Sequence, residues 1–304
     1  MGLVQLSLND QLGEHSSHFF KSGNLIRPEE EMKKLVELRN LLPKKLPNRT
    51  KVEYDIWYDM GDNKRVHGYS YTDVLQKFLM IRVCSNSMAR QLVLDCIKEK
   101  KTNEFGQKII DDIIDNNKDK YKLKKYRGSG EKFVIFLPGT NCYSKLVDEE
   151  KCKNLINEHG AKLKLHPLSA DSFRVHLKSV YGEQNLIHHK LSGHQVLEDC
   201  ETVGCCYNSE MGLTGILKDK NFVFVGKDKN EMTTYQHIYS GLFDTNELGH
   251  YGENDTYRNR LVWFLSSQRN GMIHVDDPDA KEKIKSFFNN YRDIPHVAPK
   301  NFSS

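Results

Sequence analysis

Apolar positions fall into two regimes along this chain. In the second half, short unbroken apolar runs alternate with stretches of helical period. Phe133–Leu137 (FVIFL) is a continuous run of the kind that marks a parallel strand buried on both faces. The loop Pro138–Asn141 and a helix over Val147–Glu158, closed by Gly160, follow it. Lys162–Leu165 is the next strand, then come a helix over Ser169–Tyr181 and a strand over Asn185–His189. His194–Cys200 reads as a short helix and Thr202–Tyr207 as a buried strand of small and β-branched residues. Asn208–Ser209 is a polar turn opening a helix through Met211, Leu213, Ile216 and Leu217, and Asn221–Gly226 is a last strand closed by glycine. Strands alternating with helices in this way predict a parallel, Rossmann-like sheet.

The first half is less regular. Leu3–Leu8 alternates as a strand does, and the loop NDQLGEHSSHFF after it carries Asp10, Glu14, His15 and His18. Pro28 with Glu29–Glu31 starts a helix that runs through Leu38 and ends before Pro43. Lys44–Lys51 is a basic connector, and Val52–Met60 is a strand candidate turning at Gly61–Asn63. Tyr71-Thr72-Asp73 would cap a long helical zone over Asp73–Lys100, with the patch RVCSNSMARQ as its weak point. Another helix covers Phe105–Ile114. After Lys227 comes a polar, aromatic region at Tyr235–Tyr257, followed by helices over Arg258–Gln268 and Pro278–Tyr291.

Composition narrows the function classes. The 304 residues are 38% hydrophobic and 28% charged, which suits a globular chain of two ordinary domains or one large one. No apolar stretch approaches the roughly 18 residues of a membrane span, and MGLVQLSLNDQLGEH lacks the basic and apolar regions of a secretory signal. Seven cysteines without framework spacing point to a reducing compartment, so the expected location is cytoplasmic. A net charge of +4 permits a polyanionic partner without demanding one. The densest basic segment is Asn116–Lys132, with Lys118, Lys120, Lys122, Lys124, Lys125 and Arg127 interleaved with Tyr121 and Tyr126. It reads either as a solvated interdomain tether or as a surface whose cations meet phosphates while its tyrosines stack on bases.

Three loops of the second half end at the C-terminal edge of the expected sheet, where open α/β folds place ligands. They are Gly139, Thr140 and Asn141; His166 and Pro167; and Asn208, Ser209 and Glu210. Backbone N–H groups, an imidazole and a hydroxyl at a helix start suit a phosphate leaving group. Ser209 is equally placed to cap its helix, and His166 could be a loop histidine held by Pro167. No GxGxxG follows Phe133–Leu137, and Gly128–Lys132 lacks P-loop spacing, so neither a dinucleotide cofactor nor a P-loop is expected.

The succession Lys164-Leu165-His166-Pro167, a strand leading to Ser209 with a hydrophobic helix, and the strand before Gly226 resembles the bacterial capsule-type glycosyltransferases. The likeness covers Phe133–Lys227. It implies an α/β chain of two facing Rossmann-like domains with parallel sheets, the GT-B type. The implied division is 1–127 for the acceptor, 128–275 for the nucleotide sugar, and 276–304 as a final helix packing back across the junction. It also implies that His166 and Ser209 hold the nucleotide phosphate, with Gly139–Asn141 beside them, and that no metal or other cofactor is needed. Where that group commonly has Glu five residues after the Ser, this chain has Thr214, which puts the ribose contact in question. Transfer to a hydroxyl needs a base, for which Asp10, Glu14 and His15 are the candidates.

The Lys/Asn/Asp-rich character of the chain is similar to that of large-virus proteins, among which T-even-type phages carry DNA glycosyltransferases. The expected partners are therefore a nucleotide-sugar donor and double-stranded DNA, met by Lys118–Arg127, Lys44–Lys51, Arg82 and Arg90, with hydroxymethylated cytosine as acceptor. A capsule or lipopolysaccharide acceptor is the alternative, and a non-catalytic nucleotide- or nucleic-acid-binding protein is the reading from another class.

Overall fold

Five short strands lie side by side, all parallel, in the computed structural model of the chain. The structure describes residues 34, 37–38, 41, 52–54, 69–74, 78–83, 86–115, 123–128, 130–167, 169–227, 235–250 and 255–290. The chain divides into two compact units, residues 1–109 with 232–304, and residues 110–231. These limits differ from those drawn from the sequence at 127/128 and 275/276.

The unit of residues 110–231 contains the parallel sheet. Its strands are β4 (Phe133–Phe136), β5 (Lys162–Lys164), β6 (Leu186–Ile187), β7 (Thr202–Cys205) and β8 (Asn221–Phe224). Its helices are α3 (Thr140–Leu146), α4 (Glu149–His159), α5 (Asp171–Tyr181), α6 (Gly193–Asp199) and α7 (Glu210–Leu217). The spatial order is β6-β5-β4-β7-β8. The chain thus builds outward from β4 in one direction, then crosses back to add β7 and β8 on the other side. β4 and β7 are the neighbours at which that direction reverses, the topological switch point of a doubly wound sheet.

Local chemistry fixes the ends of these elements. Asp148 accepts from the Lys151 amide at 3.0 Å to cap α4, and Gly160 closes it in the left-handed region at φ 64°. Ser192 caps α6 by accepting from the Gln195 amide at 3.2 Å. Apolar residues on both sides of β4 follow from burial of both sheet faces: Val134, Ile135 and Phe136 are all buried. Ile135, Leu163 and Leu165 pack with Phe173 and Leu177 of α5 and with Val147 in one core.

The pairing of β4 with β7 has a steric condition. Ile135 stands opposite Gly204, and a Cβ at Gly204 would lie 2.7 Å from Ile135 Cγ1 and 3.4 Å from Ile135 Cα. Ile is β-branched and cannot swing that atom away without leaving its rotamer.

In the other unit the described strands form a mixed sheet, β1 (Val52–Tyr54), β2 (Tyr69–Val74), β3 (Phe78–Val83) and β9 (Met272–His274), in that order. β1 and β2 are parallel, and the other two pairings are antiparallel. This corrects two expectations, the helix over Asp73–Lys100 and a second wholly parallel sheet. Phe78–Val83 is a short apolar run, which has no helical period to read, and it pairs with β2 along its whole length from Val74↔Phe78 to Tyr69↔Val83. Only three residues separate the two strands, and such a connection can join only an antiparallel pair. The helix of this region, α1 (Asn86–Lys98), begins inside the patch that the sequence marked as weak.

α2 (Glu104–Asp115) matches the expected helix over Phe105–Ile114. The polar region after residue 234 contains α8 (Gln236–Leu242) and α9 (Thr245–Leu248), and then come α10 (Tyr257–Ser266), β9 and α11 (Ala280–Asn290). Arg260 of α10 is wholly buried. It donates to both Asp255 carboxylate oxygens, at 2.6 and 3.2 Å, and to the carbonyls of Leu242 and Gly249. One guanidinium thereby fastens the ends of α8 and α9 to the start of α10.

Replacing Gly204 with alanine should destabilise the protein by about 1–3 kcal/mol, the usual cost of overpacking a filled core. A fall in the denaturant midpoint at unchanged slope is the expected result.

Candidate functional site

The C-terminal ends of β4, β5 and β7 each lead into one of the loops that the sequence singled out. Gly139 is the residue before α3, with extended backbone at φ −59° and ψ 159°. Thr140 follows it, and its Oγ1 accepts a hydrogen bond from the Ala170 amide at 3.2 Å. That bond joins the loop after β4 to the loop after β5. Asn141 is in the first turn of α3.

His166 and Pro167 follow β5 directly, half-buried, in a turn closed by the Ser169 amide donating to the His166 carbonyl at 2.9 Å. The two loops are held in step from below, because the Leu137 amide donates to the Lys164 carbonyl at 3.0 Å.

Across the switch point, the loop after β7 is a tight turn in which the Ser209 amide donates to the Cys206 carbonyl at 3.1 Å. Asn208 is anchored there, its Oδ1 accepting from the Cys206 thiol at 2.8 Å. Ser209 precedes α7 with extended backbone, and its side chain does not cap the helix. Of the two roles open to it in the sequence, the structure therefore does not realise the cap. The first-turn N–H groups of α7 have no intrahelical acceptors, so this helix start can receive an anion. Glu210, the first helical residue, sets a carboxylate beside it that already meets part of the helix dipole.

Thr214 is buried, and its hydroxyl donates to the Glu210 carbonyl at 3.3 Å. A side chain folded back onto its own helix in this way is not presented to a ligand, so the carboxylate that the resemblance leads one to look for has no counterpart at this position. Tyr207, in the same turn, stacks on Phe224 of β8 with centroids 3.9 Å apart, and Lys151 lies 5.9 Å over the Phe224 ring.

Two cysteines flank the switch point. Burial pushes the Cys206 thiol up to about 12, against the pull of backbone hydrogen bonds from Asn208 and its own amide, with Cys142 adding to the rise. Burial likewise pushes the Cys142 thiol up to about 11, with Lys145 opposing. Both remain protonated at neutral pH and serve as small core residues rather than nucleophiles.

Asp10, Glu14 and His15, the candidate bases, lie outside the described residues, as do Lys118, Lys120 and Lys122. Lys124, Lys125 and Arg127 are exposed. The segment bearing them is not a loose tether at this point, since the Lys124 amide donates to the Lys190 carbonyl at 2.7 Å and its carbonyl accepts from Ser192 at 2.9 Å. Gln195 Oε1 also accepts from the Tyr126 amide at 2.7 Å. Arg90, expected on a DNA-facing surface, instead forms an ion pair with the buried Asp244. No helix of the described residues is long and apolar enough to cross a membrane. No group of three or more His, Cys, Asp or Glu among them could hold a metal ion.

Sequence reasoning missed the depth of the next two loops. Lys164, quoted in the Lys-x-His-Pro run, is almost wholly buried and donates to the Leu165 carbonyl at 2.7 Å. Ser169 and His189 are also buried. Nothing in that run marks Lys164 for burial, since Lys162 of the same strand is only partly buried.

The chain is similar to the solved structure of the β-Kdo 2,7-transferase KpsC of Thermosulfurimonas dismutans. That likeness spans 87% of this chain and 90% of that one at 10% identity and a TM-score of 0.42, too low to carry an argument. No protein-family model matches the chain, and no curated protein matches it.

The raised thiol values lead to a direct test. At pH 8, iodoacetamide should leave Cys142 and Cys206 unlabelled in the native protein and label them on unfolding. Peptide mapping by mass spectrometry reads the difference.

Proposed function

We propose that the chain is a glycosyltransferase of the GT-B kind, moving a sugar from a nucleotide-sugar donor to a hydroxyl group. The observation that carries this reading is the convergence of three loops on the C-terminal edge of one doubly wound sheet, two of them across its switch point. The start of α7 with Ser209 and the imidazole of His166 hold the donor phosphate, with Gly139–Asn141 between them. As the bond from the anomeric carbon to the phosphate oxygen breaks, negative charge grows on the leaving phosphate. On this reading the helix-start N–H groups and the His166 ring stabilise that charge as it develops. The acceptor hydroxyl attacks the anomeric carbon and gives its proton to a base on the first loop, one of Asp10, Glu14 or His15.

The acceptor we infer is a hydroxymethylated cytosine in double-stranded DNA. The exposed Lys124, Lys125 and Arg127, on a segment whose backbone is fixed, favour a polyanionic acceptor. On this reading no metal takes part, because the dipolar groups and His166 stabilise the leaving phosphate.

Thermal-shift titration with CMP, CDP, UDP and GDP should identify a stabilising nucleotide. His166→Ala and Ser209→Ala should each weaken its binding by about tenfold, the order expected for one lost hydrogen bond to a charged group, with an unchanged far-UV spectrum. Full affinity in both variants would overturn the site. Hydroxymethylated duplex DNA should bind with a steep salt dependence that flattens when Lys124, Lys125 and Arg127 become alanine. A salt-insensitive chain that still turns over a donor would have a saccharide acceptor instead. Turnover should survive a chelator such as EDTA, and its loss would sink the metal-independent mechanism.

A further inference from the structure

One cluster at the same sheet edge lies outside the groups proposed to hold the donor phosphate. β5 and β6 pair with Lys164 opposite Ile187, and the Leu165 amide donates to the Ile187 carbonyl at 3.1 Å. The chain therefore leaves both strands side by side, into His166–Ser169 on one and His188-His189 on the other. His188 and His189 stack with centroids 4.3 Å apart and an interplanar angle of 25°. His188 Nδ1 accepts from the Lys190 amide at 3.0 Å, which puts the proton of the neutral ring on Nε2.

His189 and Ser169 are 5% and 6% exposed, and neither His189 Nδ1 nor Ser169 Oγ has a hydrogen-bond partner. Buried polar atoms are almost always satisfied, so two unmet ones in adjacent loops call for an explanation. Their setting is electropositive. The charges of Lys164 and Lys190 bear on both imidazoles and that of Arg174 on His188, while Asp171 opposes them. A metal cation would be repelled there, and an anion drawn in.

We propose that the loops after β5 and β6 form an oxyanion subsite in which Ser169 Oγ and His189 Nδ1 donate to an oxygen of a phosphate or carboxylate group, within the field of Lys164, Lys190 and Arg174. It lies at the sheet edge between the ends of β5 and β6, neighbouring strands about 4.8 Å apart, with Ser169 in the same turn as His166. A ligand with two acidic groups can therefore reach both places, and a free anion can fill the second alone. Burial holds the imidazoles of His188 and His189 below their ordinary value, with the cations and the neighbouring ring pushing the same way and Asp171 pushing back. The empty subsite is thus uncharged at its histidines near neutral pH. A bound oxyanion favours the imidazolium form, so binding takes up a proton and strengthens as the pH falls.

The test needs no donor and does not depend on the transferase reading. The full chain is labelled with 15N-histidine, and the His189 ring signals are assigned by their absence in His189→Asn. Inorganic sulfate, whose charge is constant over the range, should move His189 Nδ1 towards its imidazolium position. It should bind more tightly at pH 6 than at pH 8. Ser169→Ala should weaken sulfate by about tenfold, and His189→Asn should remove the pH dependence.

Nucleoside mono- and diphosphates distinguish the sources. A shift of His189 by nucleotide that Ser209→Ala abolishes, with the sulfate response intact, assigns the subsite to a second acidic group of the donor. A nucleotide response no stronger than that of inorganic phosphate assigns it to a free anion. Unmoved His189 signals with every probe, or sulfate affinity unchanged in Ser169→Ala and His189→Asn, would overturn the subsite.

Discussion

The edge that gathers this chain's chemistry depends on β4 lying directly against β7. Those two strands are far apart in sequence, and the chain winds away from each in opposite senses through the sheet order β6-β5-β4-β7-β8. Loops leaving neighbouring strands in opposite senses open a crevice between them, and every group proposed to hold a donor flanks it or borders the next strand. The pairing requires a residue without a side chain opposite Ile135, and Gly204 supplies it. A packing constraint in the middle of the sheet thus sets the spacing of the Gly139 and Ser209 loops at its rim.

Secondary bonds then brace these loops. Thr140 accepts from the Ala170 amide, tying the loop after β4 to the loop after β5, and the Cys206 thiol donates to Asn208 within the loop after β7. Rigid bases under a rim of polar groups are what a site for a charged leaving group needs, since donors already aimed require little reorganisation when charge appears. The same economy accounts for the buried thiols, which fill space beside the crevice without adding reactivity.

Much of this unit was legible in the sequence because its strands are unbroken apolar runs between periodic helices. Phe133–Leu137, Lys162–Leu165 and Thr202–Tyr207 all contain the observed strands, and the turn at Asn208–Ser209 opens the helix expected of it. The order of the strands was not legible, since nothing in FVIFL or TVGC states which neighbour each will choose. The mixed sheet was misread for a different reason. Phe78–Val83 lies between segments of good helical propensity, and its strand character comes from pairing with β2 and with β9, a partner near the other end of the chain. Tertiary pairing of that kind outweighs local propensity. The burial of Lys164, Ser169 and His189 was equally hidden, because depth below a rim is a property of the assembled loops.

The backbone of Lys124, bonded on both sides between Lys190 and Ser192, gives the basic segment a property that its composition conceals. A flexible polycation loses conformational freedom when it engages phosphates, and that loss subtracts from every contact made. Here folding has already absorbed part of it for the stretch carrying Lys124, Lys125 and Arg127. The backbone there is held at Lys124 and Tyr126 while the three side chains stay exposed, so a polyanion meeting them would have to order side chains more than backbone.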